Sequence, residues 1–142
     1  MRRKVGFTGA SGGATPRQLR HLKEHLVRLS AEGFNEFHHG LCVGADEQAA
    51  EIAQELGFRV VAHPGLAADT SDLEFRSRFS RNDEVLEAKP FAFRDRDIVD
   101  ATERLLAVPS TQTEDPNSGT WATVRYAKEQ QRPVDLFLPQ SE

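Results

Sequence analysis

The sequence predicts a single α/β domain built on a doubly wound parallel sheet of about five strands in the order 3-2-1-4-5. Three observations predict it. Apolar runs of four to six residues alternate along the chain with segments whose apolar residues recur at helical spacing. Glycine, proline or a capping residue punctuates nearly every change of pattern. The 142 residues suit one domain, and 38% hydrophobic with 28% charged residues is a globular composition.

The elements follow in order. Val5–Thr8 is the first strand and runs into glycines. Thr15 then caps a helix with Pro16 at its first position. Leu19, Leu22, Leu26 and Leu29 form its apolar face, and Gly33 ends it. Phe37–Cys42 is the second strand. Asp46 is placed to cap a second helix that buries Ala49, Ala53 and Leu56 and stops at Gly57. Phe58–Ala62 is the third strand, closed by Pro64 and Gly65. Residues 66–90 lack a clean period and carry Phe75, Phe79 and Leu86 among many charges, which suits a loop or lid. Arg94–Thr102 is helical, with Ile98, Val99 and Thr102 facing in. Leu105–Val108 is the fourth strand, and Ser118 caps a helix carrying Thr120, Val124 and Ala127. Val134–Leu138 is the fifth strand. Residues 1–142 show no internal repeat and no linker to a second domain.

Composition excludes several function classes. Eighteen Lys and Arg against 22 Asp and Glu leave a net charge of −4, which argues against holding a long nucleic acid by charge alone. One cysteine, Cys42, permits no internal disulfide framework. No apolar stretch suits a signal core or a membrane span. These features lead to an expectation of a cytoplasmic protein.

In an open parallel sheet, ligands bind where the strand order reverses, here beyond the carboxyl ends of the first and fourth strands. Three loops reach that crevice. Thr8, Gly9, Ala10, Ser11, Gly12 and Gly13 follow the first strand. Their glycines let backbone N–H groups approach an anion beside a helix N-terminus, though a tight turn explains them equally well. The loop matches neither the dinucleotide fingerprint nor a phosphate loop ending in Lys. Gly40 to Asp46 follows the second strand, with Gly44 and Ala45 allowing close approach. Asp46 serves either as a helix cap or as an acceptor for a ribose hydroxyl. Pro109 to Thr120 follows the fourth strand, and Ser118, Gly119 and Thr120 offer hydroxyls and N–H donors to phosphate, or a plain cap. Trp121 is either a pocket wall or core.

These three corners, Thr8-Gly9, Gly40-x-x-x-Gly44-Ala45-Asp46 and Ser118-Gly119-Thr120, resemble those of the SLOG superfamily. It includes the Lonely Guy phosphoribohydrolases, the DprA-like proteins and the molybdenum cofactor carriers. The resemblance implies a Rossmann-like fold, a nucleotide or nucleotide-derived ligand such as a pterin-type molybdenum cofactor, and a dimer or tetramer. It implies a binding site made of Thr8, Gly9, Ala10, Ser11, Gly12, Gly40, Gly44, Ala45, Asp46, Arg94, Pro109, Ser118, Gly119 and Thr120. Arg94 falls on the arginine of the Arg-Lys pair of the Lonely Guy enzymes, whereas the lysine position is Asp95 and the later glutamate position is Thr123. A polar insertion replaces the Gly-Gly after Pro109. Gly119 to Ala127 resembles the carrier-type members instead.

Two functions therefore compete: a protein that binds or carries a phosphorylated small molecule, and a hydrolase of the N-glycosidic bond of nucleoside monophosphates. The hydrolase needs a carboxylate near the sugar, for which Glu114 and Asp115 are the candidates, with Arg94 supplying charge. Solvated loop charges are the plainer reading of that pair. A third possibility is a domain that acts only by assembly.

Other candidates read as ordinary. Arg76, Arg78, Arg81 and Arg96 suit either an anion-covering segment or surface pairing. His21 and His25 have the i, i+4 spacing of metal ligands, lie opposite the leucine face and lack a third partner, so no metal is expected. His38 and His39 point to opposite faces of a strand; one of them facing the crevice is the functional reading, and a packed or surface histidine is the default. Cys42 reads as a small apolar residue.

Overall fold

The computed structural model describes residues 2–66, 77, 79 and 81–140. Its elements are β1 (Arg3–Gly9), α1 (Pro16–Ala31), β2 (Phe34–His39), α2 (Ala45–Glu55), β3 (Arg59–Ala62), β4 (Glu84–Val85), α3 (Phe91–Asp100), β5 (Arg104–Val108), α4 (Gly119–Glu129) and β6 (Val134–Leu136). All pairings are parallel, in the order β4-β3-β2-β1-β5-β6. The five expected strands stand in the expected order, and the fold is Rossmann-like.

The sixth strand corrects the expected count. β4 is two exposed residues, Glu84 and Val85, added beside Val61 and Ala62. An edge pair with no buried side chain leaves no hydrophobic period to read. It falls within the 66–90 segment expected to be a loop or lid. Residues 67–76, 78 and 80 of that segment, including Phe75, Arg76 and Arg78, lie outside the described residues.

The sheet sorts its side chains by strand alternation. Val5 and Phe7 of β1 and Leu106 and Val108 of β5 face a core with Leu22, Leu26 and Leu29 of α1 and Ala49, Ala50 and Ala53 of α2. Leu105 and Ala107 face the other way, onto Ile98 and Val99 of α3 and Trp121, Val124 and Ala127 of α4. Trp121 is thus core, and its indole N–H donates to Thr111 Oγ1 at 2.8 Å. Thr102 is buried just beyond α3, its hydroxyl bonded to the Ile98 carbonyl.

Several expected boundaries move. α3 spans Phe91–Asp100 rather than 94–102, and β6 spans Val134–Leu136 rather than 134–138. β2 spans Phe34–His39 rather than 37–42. Leu41 takes a left-handed conformation, φ 54°, which no strand continues. Asp46 is not the cap of α2. That place belongs to Gly44, and Asp46 lies inside the first turn. By contrast, Thr15 caps α1 with a reciprocal Gln18 bond, and Ser118 caps α4. No helix among the described residues is long and apolar enough to cross a membrane.

Candidate functional site

The chain leaves β1 toward β2 on one side and returns to β5 on the other, so the order reverses between β1 and β5. Beyond their last paired residues, Gly9 and Val108, a loop begins on Ala10, whose N–H donates to the Val108 carbonyl at 3.0 Å. The Ala10 carbonyl accepts from both Gly13 and Ala45. One peptide unit therefore joins the first loop to the start of α2.

Gly44 makes that junction possible. Its φ is 84°, and a Cβ there would lie 2.3 Å from the Ser11 carbonyl oxygen. Only glycine fits both constraints. Gly44 and Ala45 therefore support the loop from behind and do not line the cavity.

On the opposite side, Gln18 fixes the end of β5. Its side-chain Oε1 accepts from Thr15 N–H, and its Nε2 donates to the carbonyls of Pro109 and Phe137 at 2.9 and 2.7 Å. Pro109 is thus a buried anchor outside the cavity lining.

Between these supports lies a cavity of about 460 Å³. Thr8, Gly9, Ala10, Ser11 and Gly12 line one side, and Ser118, Gly119 and Thr120 line another. Among the described residues, nothing accepts a hydrogen bond from the backbone N–H groups of Ser11, Gly12, Gly119 and Thr120. The latter two open α4, where unpaired N–H groups and the helix dipole favour negative charge. The nearest atoms to a Cβ built on Gly12 or Gly119 are beyond 4 Å, so open space faces both.

The floor is a buried charge cluster. Asp46 Oδ2 accepts from the N–H groups of Gly40 and Cys42 at 3.0 and 3.3 Å. Burial pushes its carboxyl up to about 7, against the pull of Arg94 and the two N–H donors. Arg94 is 6% exposed. Its Nη1 donates to the carbonyls of Gly40 and His63, its Nε to Asp95, and its Nη2 approaches Cys42 Sγ. Burial opposes the charge on Arg94, but Asp95, Cys42 and Asp46 outweigh it and raise its pKa. Burial raises the Asp95 carboxyl against Arg94, and raises the Cys42 thiol together with the Asp46 charge. The expected ligand arginine thus spends most of its donors on the protein and shapes the floor.

Gly40 is wedged into this cluster. A Cβ there would lie 2.7 Å from Arg94 Nη1 and 2.9 Å from Asp46 Oδ2.

The remaining candidates separate. Asp115 lines the cavity, its Oδ1 held by the Asn117 N–H. Glu114 pairs with Arg125 and does not reach it. Thr123 bonds the Gly119 carbonyl. His25 binds Asp135 at 2.9 Å and packs on Phe137, so it does not sit opposite the packed face as expected. His38 and His39 are buried against His63 and Asn82, away from the crevice. Arg81 lies over Phe79 and Arg96 over Tyr126. No group of three or more His, Cys, Asp or Glu that would hold a metal occurs among the described residues.

Five lining residues escaped the sequence reading as ligand contacts: Phe7, Cys42, Asp95, Ile98 and Ser110. Ser110 and Asp95 adjoin predicted positions. The side-chain direction of Cys42 depends on the left-handed turn at Leu41, which the sequence does not mark.

No protein-family model matches the chain, and no curated protein matches it in sequence. Solved structures do resemble it. The molybdenum cofactor binding protein of the phototrophic bacterium Rippkaea orientalis superposes with a TM-score of 0.69 at 20% identity, over 96% of this chain and 76% of that one. The molybdenum cofactor carrier protein of Chlamydomonas reinhardtii gives 0.67 at 22% identity, with the same coverage of 96% and 76%. DNA processing protein A of Helicobacter pylori, described for its single-stranded DNA binding mode, gives 0.63 at 19% identity over 98% of this chain and 66% of that one. These likenesses establish a shared Rossmann-like fold.

Proposed function

We propose that this chain, sharing its fold with molybdenum cofactor carriers and DNA processing protein A, binds or carries a phosphorylated nucleotide-like ligand or nucleotide-derived cofactor. One observation carries the reading. Two separate chain segments bring backbone N–H groups unpaired among the described residues, Ser11–Gly12 and Gly119–Thr120, to the lining of one cavity. Phosphate or another compact anion completes such a set. The Thr8, Ser11, Ser118 and Thr120 hydroxyls add neutral donors, and Asp46 and Arg94 fix the floor beneath the sugar.

A pterin-type molybdenum cofactor carries a phosphate and falls within this ligand class. The named carriers with the same fold support trying it first. Assembly into a dimer or tetramer, a small-molecule partner rather than a long nucleic acid, and a cytoplasmic setting belong to the same proposal. Sedimentation velocity of the purified chain tests the assembly.

Of the two candidate carboxylates of the hydrolase alternative, Asp115 lines the cavity and Glu114 is paired with Arg125; Thr123 supplies no carboxylate, and the Asp46 and Asp95 carboxylates of the lining are engaged by the Gly40 and Cys42 N–H groups and by Arg94. Free base released from nucleoside monophosphates, and abolished by Asp115→Ala, would establish it. The binding reading is tested by calorimetry with nucleoside monophosphates, dinucleotides and ribose 5-phosphate. Saturable binding without turnover is expected, and no binding of any of them would overturn it.

A further inference from the structure

A second cavity, of about 510 Å³, opens on the far side of Arg94, between the chain after β3 and helix α3. Its lining includes His63, Pro64, Leu86, Asp97 and Ala101. His63 is 4% exposed and ends a buried chain of hydrogen bonds. Glu36 Oε2 meets His38 Nε2 at 3.1 Å, and His38 Nδ1 meets His63 Nε2 at 2.7 Å.

That chain fixes the proton positions. Burial works against the charge on Glu36, but His38, Lys4 and Arg59 hold its carboxyl below the usual range, so it is an anion and accepts. His38 Nε2 must then carry the proton. Burial holds His38 neutral against Glu36, so its Nδ1 is an acceptor. His63 Nε2 must donate to it. His63 is neutral as well, because burial pulls it to about 3, and its Nδ1 is left with a bare lone pair. Among the described residues nothing bonds that nitrogen, and no buried polar side-chain atom is fully enclosed without a partner, so it opens to the cavity.

The polar lining sets four acceptor groups, His63, Glu87, Asp97 and Asp100, against two cations, Lys89 and Arg94, whose donors are turned to Asp97 and to Asp95 and the Gly40 and His63 carbonyls. Asp97 acts electrostatically on the His63 ring, and among the described residues only its Oδ2 is engaged, by Lys89 Nζ at 2.6 Å. Glu87 and Asp100 add two more carboxylates. Pro64, Leu86 and Ala101 supply apolar surface to cover a ring.

We propose that this cavity binds a flat heteroaromatic ring through its donor edge, a ring N–H on His63 Nδ1 with an adjacent amino group on Asp97. A 2-amino-4-oxopyrimidine ring, shared by guanine and pterins, presents that pair of donors. The inference stands on the His63 cavity and needs no phosphate in the first one. A ligand lacking phosphate therefore tests it separately.

Guanosine, biopterin and inosine, which lacks the amino group, are titrated by calorimetry into the full chain. Guanosine or biopterin is expected to bind at least tenfold more tightly than inosine, and the tighter of the two identifies the source of the ring. His63→Ala should abolish that binding. Because His63 is buried, Ala101→Trp serves as a second variant that fills the cavity, with cooperative melting as the folding check. Ribose 5-phosphate binding should survive Ala101→Trp. Imidazole 15N spectra should show a bare His63 Nδ1 that shifts on ligand addition. Failure of both ligands to bind, equal binding of inosine, undiminished binding to folded Ala101→Trp, or a protonated His63 Nδ1 in the free protein would each overturn the proposal.

Discussion

Arg94 of α3 donates from Nη1 to the carbonyl of Gly40, at the end of β2 and 54 residues away in sequence. The contact joins an α3 side chain on one face of the sheet to the loop that leads into α2 on the other. It also explains why no side chain stands at position 40.

Removing the cation should therefore destabilise the fold. Arg94→Met strips Asp46 and Asp95 of their counter-charge in a buried setting, where breaking a pair costs about 3–5 kcal/mol. Arg94→Lys should recover only part of that, because an ammonium cannot donate along all of these directions. Urea unfolding measures both, and a loss below about 1 kcal/mol for Arg94→Met would contradict the account.

Gly40→Ala places a methyl group 2.7 Å from Arg94 Nη1 and 2.9 Å from Asp46 Oδ2. Overpacking of that kind costs about 1–3 kcal/mol. Gly44→Ala should be worse, since it adds a left-handed backbone to a contact with a carbonyl oxygen. The order of denaturation midpoints should be wild type, Gly40→Ala, Gly44→Ala.

Gly119→Ala should separate stability from binding. The methyl group meets nothing within 4 Å. At a compatible helical position the change stabilises by about 0.4–1 kcal/mol. The same methyl group enters the cavity beside the N–H groups that would hold an anion, so ribose 5-phosphate should bind several-fold more weakly. Calorimetry and thermal melting on one sample read both effects.

Asp46 gives stability a pH dependence of defined sign. Its pKa is about 7 in the folded chain against 3.8 when free. The folded state thus holds the proton more tightly, and stability from this group falls as pH rises from about 4 to about 7. The span corresponds to about 4 kcal/mol. His39 acts in the opposite sense. Burial lowers it from 6.5 to about 4, so its contribution is lost as pH falls through that interval. Asp46→Asn keeps an oxygen for the Gly40 and Cys42 N–H groups, so its advantage over wild type should grow with pH between 4 and 7. A constant difference would contradict the assignment.

The strand order and the two N–H-bearing loops were legible because local signals mark them. Apolar runs, Thr15 and Ser118 as caps, and the glycines after β1 are all short-range features. The floor was legible in residue type and not in role. Asp46 looks like a cap and Arg94 like a ligand contact until the chain brings them together around Gly40. The Glu36–His38–His63 chain left no mark at all, since β2 and β3 must pair before His38 meets His63. β4 escaped because two exposed residues have no period.

Backbone 1H–15N spectra recorded while ribose 5-phosphate is added read the four cavity amides themselves. The amides of Ser11, Gly12, Gly119 and Thr120 should shift together along one saturable curve. Four stationary amides while resonances elsewhere respond, or two loops titrating with different affinities, would contradict an anion site made by both loops.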